Sequence, residues 1–315
     1  MHEIYKKSYC NLAVSDNNSG PSFPVHTCYA KGRKGTVLEA NFRIVDSNGF
    51  EKAVKNSKLI SRAWVHQEVV LAPRTLYFTQ RQVFWSCTTT TEAETSDQPS
   101  YAQSRSSKDL SVAKVFIEQN HSGDALYFSC SQIWSKNILY CAACDLTFGS
   151  DKLPAISALA RYMGTIVGKE DRYLAGLWER YLHLHLLWSV RDRENAARLH
   201  NPSSTRSWAS IKSRIYNFRL RDGYQEHISL MSLEAVRMSH PHGSPEDIYG
   251  RVEGGELDLR GILVKLEMEV ILHTKLNSRW LRWKQQRVHQ TCSFLDLDFA
   301  GWATGHYTVY CFVTC

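Results

Sequence analysis

Long apolar runs are missing from this sequence. The stretch that comes closest, residues 261–273, is interrupted by Lys265, Glu267 and Glu269, whereas a membrane-spanning helix needs about 18 to 20 consecutive apolar residues. Residues 1–7 also lack the apolar core and the cleavage site of a secretory signal peptide. We therefore expect a cytoplasmic protein without a membrane span.

Clusters of like charge and nucleotide-binding loops are missing too. The formal net charge of +7 is modest for 315 residues, and the basic residues are spread along the chain. Such a distribution is typical of a solvated surface, so we expect no nucleic-acid partner. Residues 279–287 interleave aromatic and basic side chains, which could stack on bases or lie on an anionic membrane, but tryptophans packed inward are the commoner reason. No phosphate-binding G-x-x-x-x-G-K-[ST] loop, dinucleotide fingerprint or serine elbow occurs.

The cysteine spacing predicts neither a disulfide framework nor a metal site. The nine cysteines are odd in number and scattered, and without an export signal they favour reduced thiols. A single Cys141-x-x-Cys144 pair lacks a second pair at zinc spacing. His183 and His185 lie two residues apart on a leucine-rich segment, so they would face different sides and are interpreted as core or surface histidines. We predict no bound metal and no resident cofactor.

Apolar periodicity predicts an α/β protein. A short helix at the N-terminus is followed by a strand at residues 11–14. A second helix is predicted over residues 61–72, and it ends there because proline at position 73 disfavours helical geometry in the residue before it. Two strands, at residues 75–78 and 82–85, then flank a polar turn.

Composition divides the chain into three parts. Residues 1–90 would form the first domain. Residues 88–109 are rich in Thr, Ser, Glu, Gln and Pro, and we assign residues 91–125 to a mobile linker. Residues 126–315 would form a mixed α+β region. In this last part the apolar pattern predicts two helices followed by strands, at residues 153–163, 174–186, 261–266 and 307–313.

The most specific string in the chain runs from Arg62 to Arg74 and reads Arg-Ala-Trp-Val-His-Gln-Glu-Val-Val-Leu-Ala-Pro-Arg. It resembles the hallmark of fungal heterokaryon-incompatibility (HET) domains: arginine, a small residue, tryptophan, Gln-Glu after two variable positions, an apolar trio and Pro-Arg. Phe78 and residues 83–87 continue the match at the expected spacing. Further matches keep the family's order along the chain, at residues 1–5, 11–14, 151–160, 173–178, 187–188, 207–210 and 257–261.

Two landmarks of the family are missing from the sequence. A leading Ser-Tyr-x-Trp-Gly-like strand and the Cys-Ile-Asn/Asp-Gln segment after it do not occur, and the acidic residue expected after the second tryptophan is Ser86. The resemblance is therefore to an N-terminally truncated member. It implies that residues 1–90 are the C-terminal part of a HET domain, with a partial TIR-like sheet and helices. A shortened gene model, a decayed paralogue and a genuine short variant are all open explanations.

The resemblance also implies a function in allorecognition and programmed cell death. The chain would act mainly as an interaction module that binds another incompatibility protein, and self-association into a homo-oligomer is left open. In this interpretation Trp64, Gln67 and Glu68 stabilise the domain or contact the partner. One alternative is a decayed fragment without function.

A second alternative is an enzyme centred on Glu68. Helix geometry puts Trp64, Glu68 and Leu71 on one face, with Gln67 on its flank. A carboxylate beside a bulky ring would be partly desolvated, which favours its neutral form. The Trp-x-x-x-Glu spacing resembles that of TIR domains, some of which cleave the nicotinamide–ribose bond of NAD.

By this analogy the chain would be an NAD glycohydrolase, with NAD as its substrate and not as a cofactor. Glu68 would be the catalytic carboxylate that stabilises a cation-like ribosyl transition state. Trp64 would be a stacking wall, and Arg62 or Arg74 would hold a phosphate through its fork of donors. The structural alternative places Trp64 in the core and pairs Glu68 with Arg62 or Arg74.

Overall fold

The structure, a computed structural model, describes residues 2–15, 29–30, 42–43, 49–80, 82–87, 90–94, 123–168, 171–186, 188–191, 196–199, 207–216, 231–241, 247–261, 263–273, 278–283 and 305–312. Both helices and strands are present, as the predicted α/β class requires. None of the described helices is both long and apolar enough to span a membrane.

The chain divides into two compact units, of which the first comprises Met1–Ile133, Cys144–Thr147 and Ala155–Gly168. Its elements in chain order are α1 (His2–Lys6), β1 (Asn11–Val14), β2 (Tyr29–Ala30), β3 (Phe42–Arg43), a π-helical turn (Glu51–Lys55), α2 (Ala63–Leu71), β4 (Arg74–Phe78), β5 (Val83–Cys87), β6 (Thr91–Ala93), the first half of α3 (Asp124–Ala143) and α4 (Ser157–Val167). The short strands β2 and β3 pair with each other, and α1, α2 and α4 pack together.

The main sheet of the first unit has the strand order β1-β4-β5-β6. β1 runs parallel to β4, which requires the chain to cross over between them, and α2 lies in that connection. β5 and β6 follow as antiparallel neighbours. The predictions of β1, α2, β4 and β5 are confirmed. β6 falls in the segment predicted to be a linker, and most of the rest of that segment lies outside the described residues.

One face of this sheet is buried. Ala13, Thr75, Tyr77 and Phe84 point to it, and each is at most 6% exposed. The ring of Phe50 packs edge-on against Tyr77 and against Phe84, with centroids 5.5 Å apart in both pairs. The core of the first unit therefore lies on this side of the sheet.

The second unit comprises Trp134–Ala143, Phe148–Pro154 and Lys169–Cys315. After the second half of α3 its elements are 3₁₀ turns at Gly149–Asp151, Glu179–Tyr181 and Trp208–Ser210, the helix α5 (Leu182–His185), and the strands β7 (Tyr173–Leu174), β8 (Leu177–Trp178), β9 (Ser189–Val190), β10 (Ala197–Arg198), β11 (Ile211–Lys212), β12 (Ile215–Tyr216), β13 (Met231–Ser239), β14 (Gly254–Gly261), β15 (Leu263–His273), β16 (Ser278–Trp283) and β17 (Gly305–Phe312). All described strand pairs of this unit are antiparallel, and β15 lies between β16 and β17. The strands predicted at residues 261–266 and 307–313 are confirmed by β15 and β17.

The helix predicted over residues 174–186 is wrong in its first half. A tight hairpin occurs there instead. At its turn, Ala175 has φ 50° and Gly176 has φ 97°. Positive φ at both central residues is the geometry of a hairpin turn and cannot continue a helix. Tertiary hydrogen bonds hold the turn: the Ala175 carbonyl accepts from Ser207 Oγ, and the Gly176 carbonyl accepts from the indole N–H groups of Trp134 and Trp208.

The long helix α3 was not predicted. It has 20 residues and begins after Gly123, whose φ is 64°. Its buried positions include the polar side chains Ser131, Ser135 and Asn137 as well as apolar ones. Because these polar residues interrupt the apolar repeat, the 3.6-residue period that marks a helix in sequence is weak here.

The helix predicted over residues 153–163 is confirmed, as a 3₁₀ turn at Pro154–Ile156 followed by α4.

Candidate functional site

The helix α2 carries three of the five predicted site residues. It begins at Ala63, after an extended Arg62 with φ −82° and ψ 126°. No side chain caps this end, but the Ala63 N–H donates to the Asp145 carbonyl at 3.3 Å. It ends at Leu71 because Ala72 is extended, at ψ 128°, as the proline after it demands.

Trp64 and Glu68 lie on the same face of α2, as predicted. They are the only half-buried side chains of this helix, and the other seven are buried. Leu71, which was expected beside them, belongs to the buried set at 7% exposed. The face that holds Trp64 and Glu68 is therefore the solvent-facing side of the helix.

The hydroxyl of Tyr5 on α1 is a hydrogen-bond partner of the Glu68 carboxylate. Partial burial is the first cause that raises the pKa of Tyr5, followed by the negative charge of Glu68 and the hydrogen bond to it. The phenol is therefore held protonated and donates to the carboxylate. The sequence does not point to Tyr5, because this residue lies 63 positions before Glu68 along the chain and no spacing rule links them.

Gln67 is buried on another side of α2 and has a structural contact. Its Oε1 accepts a hydrogen bond of 3.2 Å from the backbone N–H of Ala158, and Gln67 is 1% exposed. Ala158 is the second residue of α4, whose preceding residue, Ile156, offers no capping side chain. Gln67 thus satisfies an N-terminal N–H group that the helix itself cannot satisfy.

Arg62 and Arg74 are both exposed. Arg74 Nη1 donates to the Tyr9 carbonyl at 3.4 Å, and its guanidinium lies 5.3 Å from the centre of the Tyr9 ring. In the part of the chain that the structure describes, neither arginine lies within ion-pair distance of Glu68, so the expected pairing is wrong. Trp64 and Glu68 are brought together, and the two arginines do not join them.

A second feature of the first unit is the face of the main sheet opposite its core, which we call the open face. Strand register places six apolar side chains on it, in two rows across β1, β4 and β5. They are Leu12, Leu76 and Trp85 in one row and Val14, Phe78 and Val83 in the other. Leu12 is 65% exposed and Val14 is 56% exposed, and the other four are half-buried.

No family model, curated protein or solved structure matches this chain.

The cysteine pair and the aromatic and basic segment at residues 279–287 are two further candidates from the sequence. Cys141 is 1% exposed, and the Cys144 sulfur lies 4.0 Å from the Ile60 carbonyl; neither forms a disulfide within the described residues. Within the described residues, no group of three or more His, Cys, Asp or Glu side chains could hold a metal ion. The segment at residues 279–287 is described only as far as the strand β16.

The two histidines of α5 are core residues, as one of the two interpretations held. His185 is 2% exposed, and its Nδ1 accepts a hydrogen bond of 3.2 Å from the Trp178 N–H on β8. Burial and, secondarily, the neighbouring His183 lower the pKa of His185 from 6.5 to about 3. The neutral imidazole therefore links α5 to the hairpin.

Proposed function

We propose that this chain is a heterokaryon-incompatibility protein that acts in the cytoplasm, mainly as an interaction module. The observation that carries the proposal is the open face, because apolar side chains as exposed as Leu12 and Val14 mark a binding surface when they form a contiguous patch. The string from Arg62 to Arg74 supports it by resemblance. The main sheet would then be the remnant of the family's TIR-like sheet.

An NAD glycohydrolase centred on Glu68 is the second candidate. It is favoured by the pairing of Trp64 and Glu68 on one helix face and by the Tyr5 hydroxyl at the carboxylate. The surroundings of Arg74 weigh against it, since the guanidinium of Arg74 contacts the carbonyl and the ring of Tyr9.

Inducible expression in a filamentous fungus, with cell death scored by dye uptake, separates the two candidates. For a module that binds its partner through the open face, we expect Leu12→Gln/Val14→Gln to abolish cell death and Glu68→Gln, which lies on α2 outside that face, to leave it unchanged. Ile4→Gln is the matched control, because Ile4 is an equally exposed apolar residue, at 66%, on α1.

The enzymatic candidate makes the opposite prediction for the same variants. Purified protein incubated with NAD would release nicotinamide, and Glu68→Gln would stop this release while Leu12→Gln/Val14→Gln would not. That result, or cell death that requires Glu68 alone, would overturn the proposed interaction function.

A further inference from the structure

The open face belongs to a mixed sheet, in which β1 and β4 are parallel whereas β4, β5 and β6 are antiparallel neighbours. Parallel strands joined by a helical crossover are usually covered by packed elements, and antiparallel strands can leave one face in water. The core covers one face here, whereas Leu12 and Val14 on the other are more than half exposed. A helix about 10 Å across would cover two to three strands spaced about 4.8 Å apart. Its footprint matches β1, β4 and β5.

Negative charge lies along one border of the open face. Along the border formed by β6, Glu92 lies opposite Trp85, and Glu94 follows beside Val83. Glu92 Oε1 accepts from Thr90 Oγ1, and Glu94 Oε2 accepts from the Val83 N–H. No described cation lies within ion-pair distance of either carboxylate. The β1 strand at the opposite border, residues 11–14, carries no charge.

We propose that the open face docks an amphipathic helix of a partner protein, with an apolar stripe on Leu12, Val14 and their row neighbours. Lysine or arginine side chains on one flank of this helix would lie against Glu92 and Glu94. The proposal rests on the interaction function proposed above and adds the class of partner. An anionic membrane surface is disfavoured, because the same two carboxylates would repel its headgroups.

The test uses the full chain and a synthetic amphipathic peptide with a leucine stripe and lysine flanks, labelled for fluorescence anisotropy. A second peptide carries glutamate in place of every lysine. We expect the lysine peptide to bind and the glutamate peptide to bind far more weakly. Leu12→Gln/Val14→Gln should abolish binding, and Ile4→Gln, at an equally exposed site, should leave it unchanged.

Glu92→Gln/Glu94→Gln provides the electrostatic arm of the test. Because each solvent-exposed charge pair contributes only a modest free energy, we expect about a two- to tenfold loss of affinity for the lysine peptide and a weaker dependence on salt. Circular dichroism of each variant checks that the fold is kept. We expect the fold to be kept, because all four substituted side chains lie at least partly in solvent.

Three outcomes would overturn the proposal. They are equal binding of both peptides, binding that survives Leu12→Gln/Val14→Gln, and stronger binding to phosphatidylserine vesicles than to the lysine peptide. Self-association in sedimentation equilibrium that Leu12→Gln/Val14→Gln abolishes would make a second copy the occupant instead. Failure of peptide binding, with cell death still dependent on Leu12 and Val14, would reject this partner class and retain the interaction function.

Discussion

Two adjacent residues of α2 show how far side chains of equal length can differ in their surroundings. Gln67 is buried and bonded to the backbone of α4, whereas Glu68 is half-buried and bonded to Tyr5. The helical rotation of about 100° per residue separates them. A polar amide placed inside must have a partner, because a buried unsatisfied group destabilises the fold.

We expect Gln67→Leu to destabilise the protein by about 1 to 3 kcal/mol, because the Ala158 N–H then loses its acceptor inside the core. Urea denaturation followed by circular dichroism measures the change. Glu68→Gln is the matched control, and as a change on the half-buried face it should alter stability by no more than about 0.5 kcal/mol. If both variants unfold at the same urea concentration as the wild type, the capping function of Gln67 is disproved.

At the scale of elements, the short helix α5 depends on the hairpin β7–β8 for its place. Four residues are too few to form a stable helix alone. The hydrogen bond from Trp178 N–H to His185 Nδ1 ties the helix to the hairpin and requires a neutral acceptor nitrogen. A proton on this nitrogen would remove the bond.

The free energy of unfolding should therefore decrease as the pH is lowered through the range between the folded-state and unfolded-state pKa values of His185. Its pKa is about 3 in the folded protein and 6.5 in the unfolded chain, so only the unfolded chain takes up the proton between these values. The free energy of unfolding decreases as pH falls from 6.5 towards 3, by at most about 1.4 kcal/mol per pH unit for one proton.

His185→Asn tests this pH dependence, because asparagine keeps a side-chain acceptor for the Trp178 N–H and does not titrate. Urea denaturation of both proteins between pH 6.5 and pH 4 should give a steeper decline for the wild type. The carboxyl of Asp171, whose pKa burial raises, is present in both proteins and cancels in the comparison. Parallel declines would contradict the assignment to His185.

At the scale of the whole molecule, each unit has a packed interior of its own. In the second unit, Trp134 and Trp208 are fully buried, and both indole N–H groups donate to the Gly176 carbonyl. Tyr173 and Trp178 pack edge-on against Trp134, with centroids 5.8 and 6.0 Å away. A core with such specific contacts is expected to unfold cooperatively.

We expect a cooperative endotherm in calorimetry, and a larger decrease in Tm for Gly176→Ala than for Gly168→Ala. Both glycines have positive φ, 97° and 77°, which strains alanine by about 1 to 3 kcal/mol. A Cβ at Gly176 would also lie 2.7 Å from Trp208 Nε1, whereas one at Gly168 would meet nothing within 4 Å. Equal effects of the two variants would contradict the packing around the turn. A flat, non-cooperative trace for the wild type would support the decayed-fragment alternative.

The sequence predicted those elements whose signals are local. The end of α2 follows from proline at position 73, and the strands β1, β4 and β5 follow from short apolar runs beside turn residues. The shared face of Trp64 and Glu68 follows from helix geometry alone. The sequence could not predict the hairpin at Ala175 and Gly176, because the leucine spacing in residues 174–186 fits a helix equally well. The hairpin depends on hydrogen bonds from the side chains of Ser207, Trp134 and Trp208, which are distant in sequence.

For this protein the sequence by itself determined the positions of α2 and its neighbouring strands, since backbone preferences act between adjacent residues. Only the tertiary structure decided that Gln67 caps α4, that Tyr5 meets Glu68, and that Leu12 and Val14 face solvent. The physical reason is that burial and hydrogen-bond partners depend on which distant segments pack together. Alternation along a strand divides its side chains between two faces, and it does not say which face the core will cover.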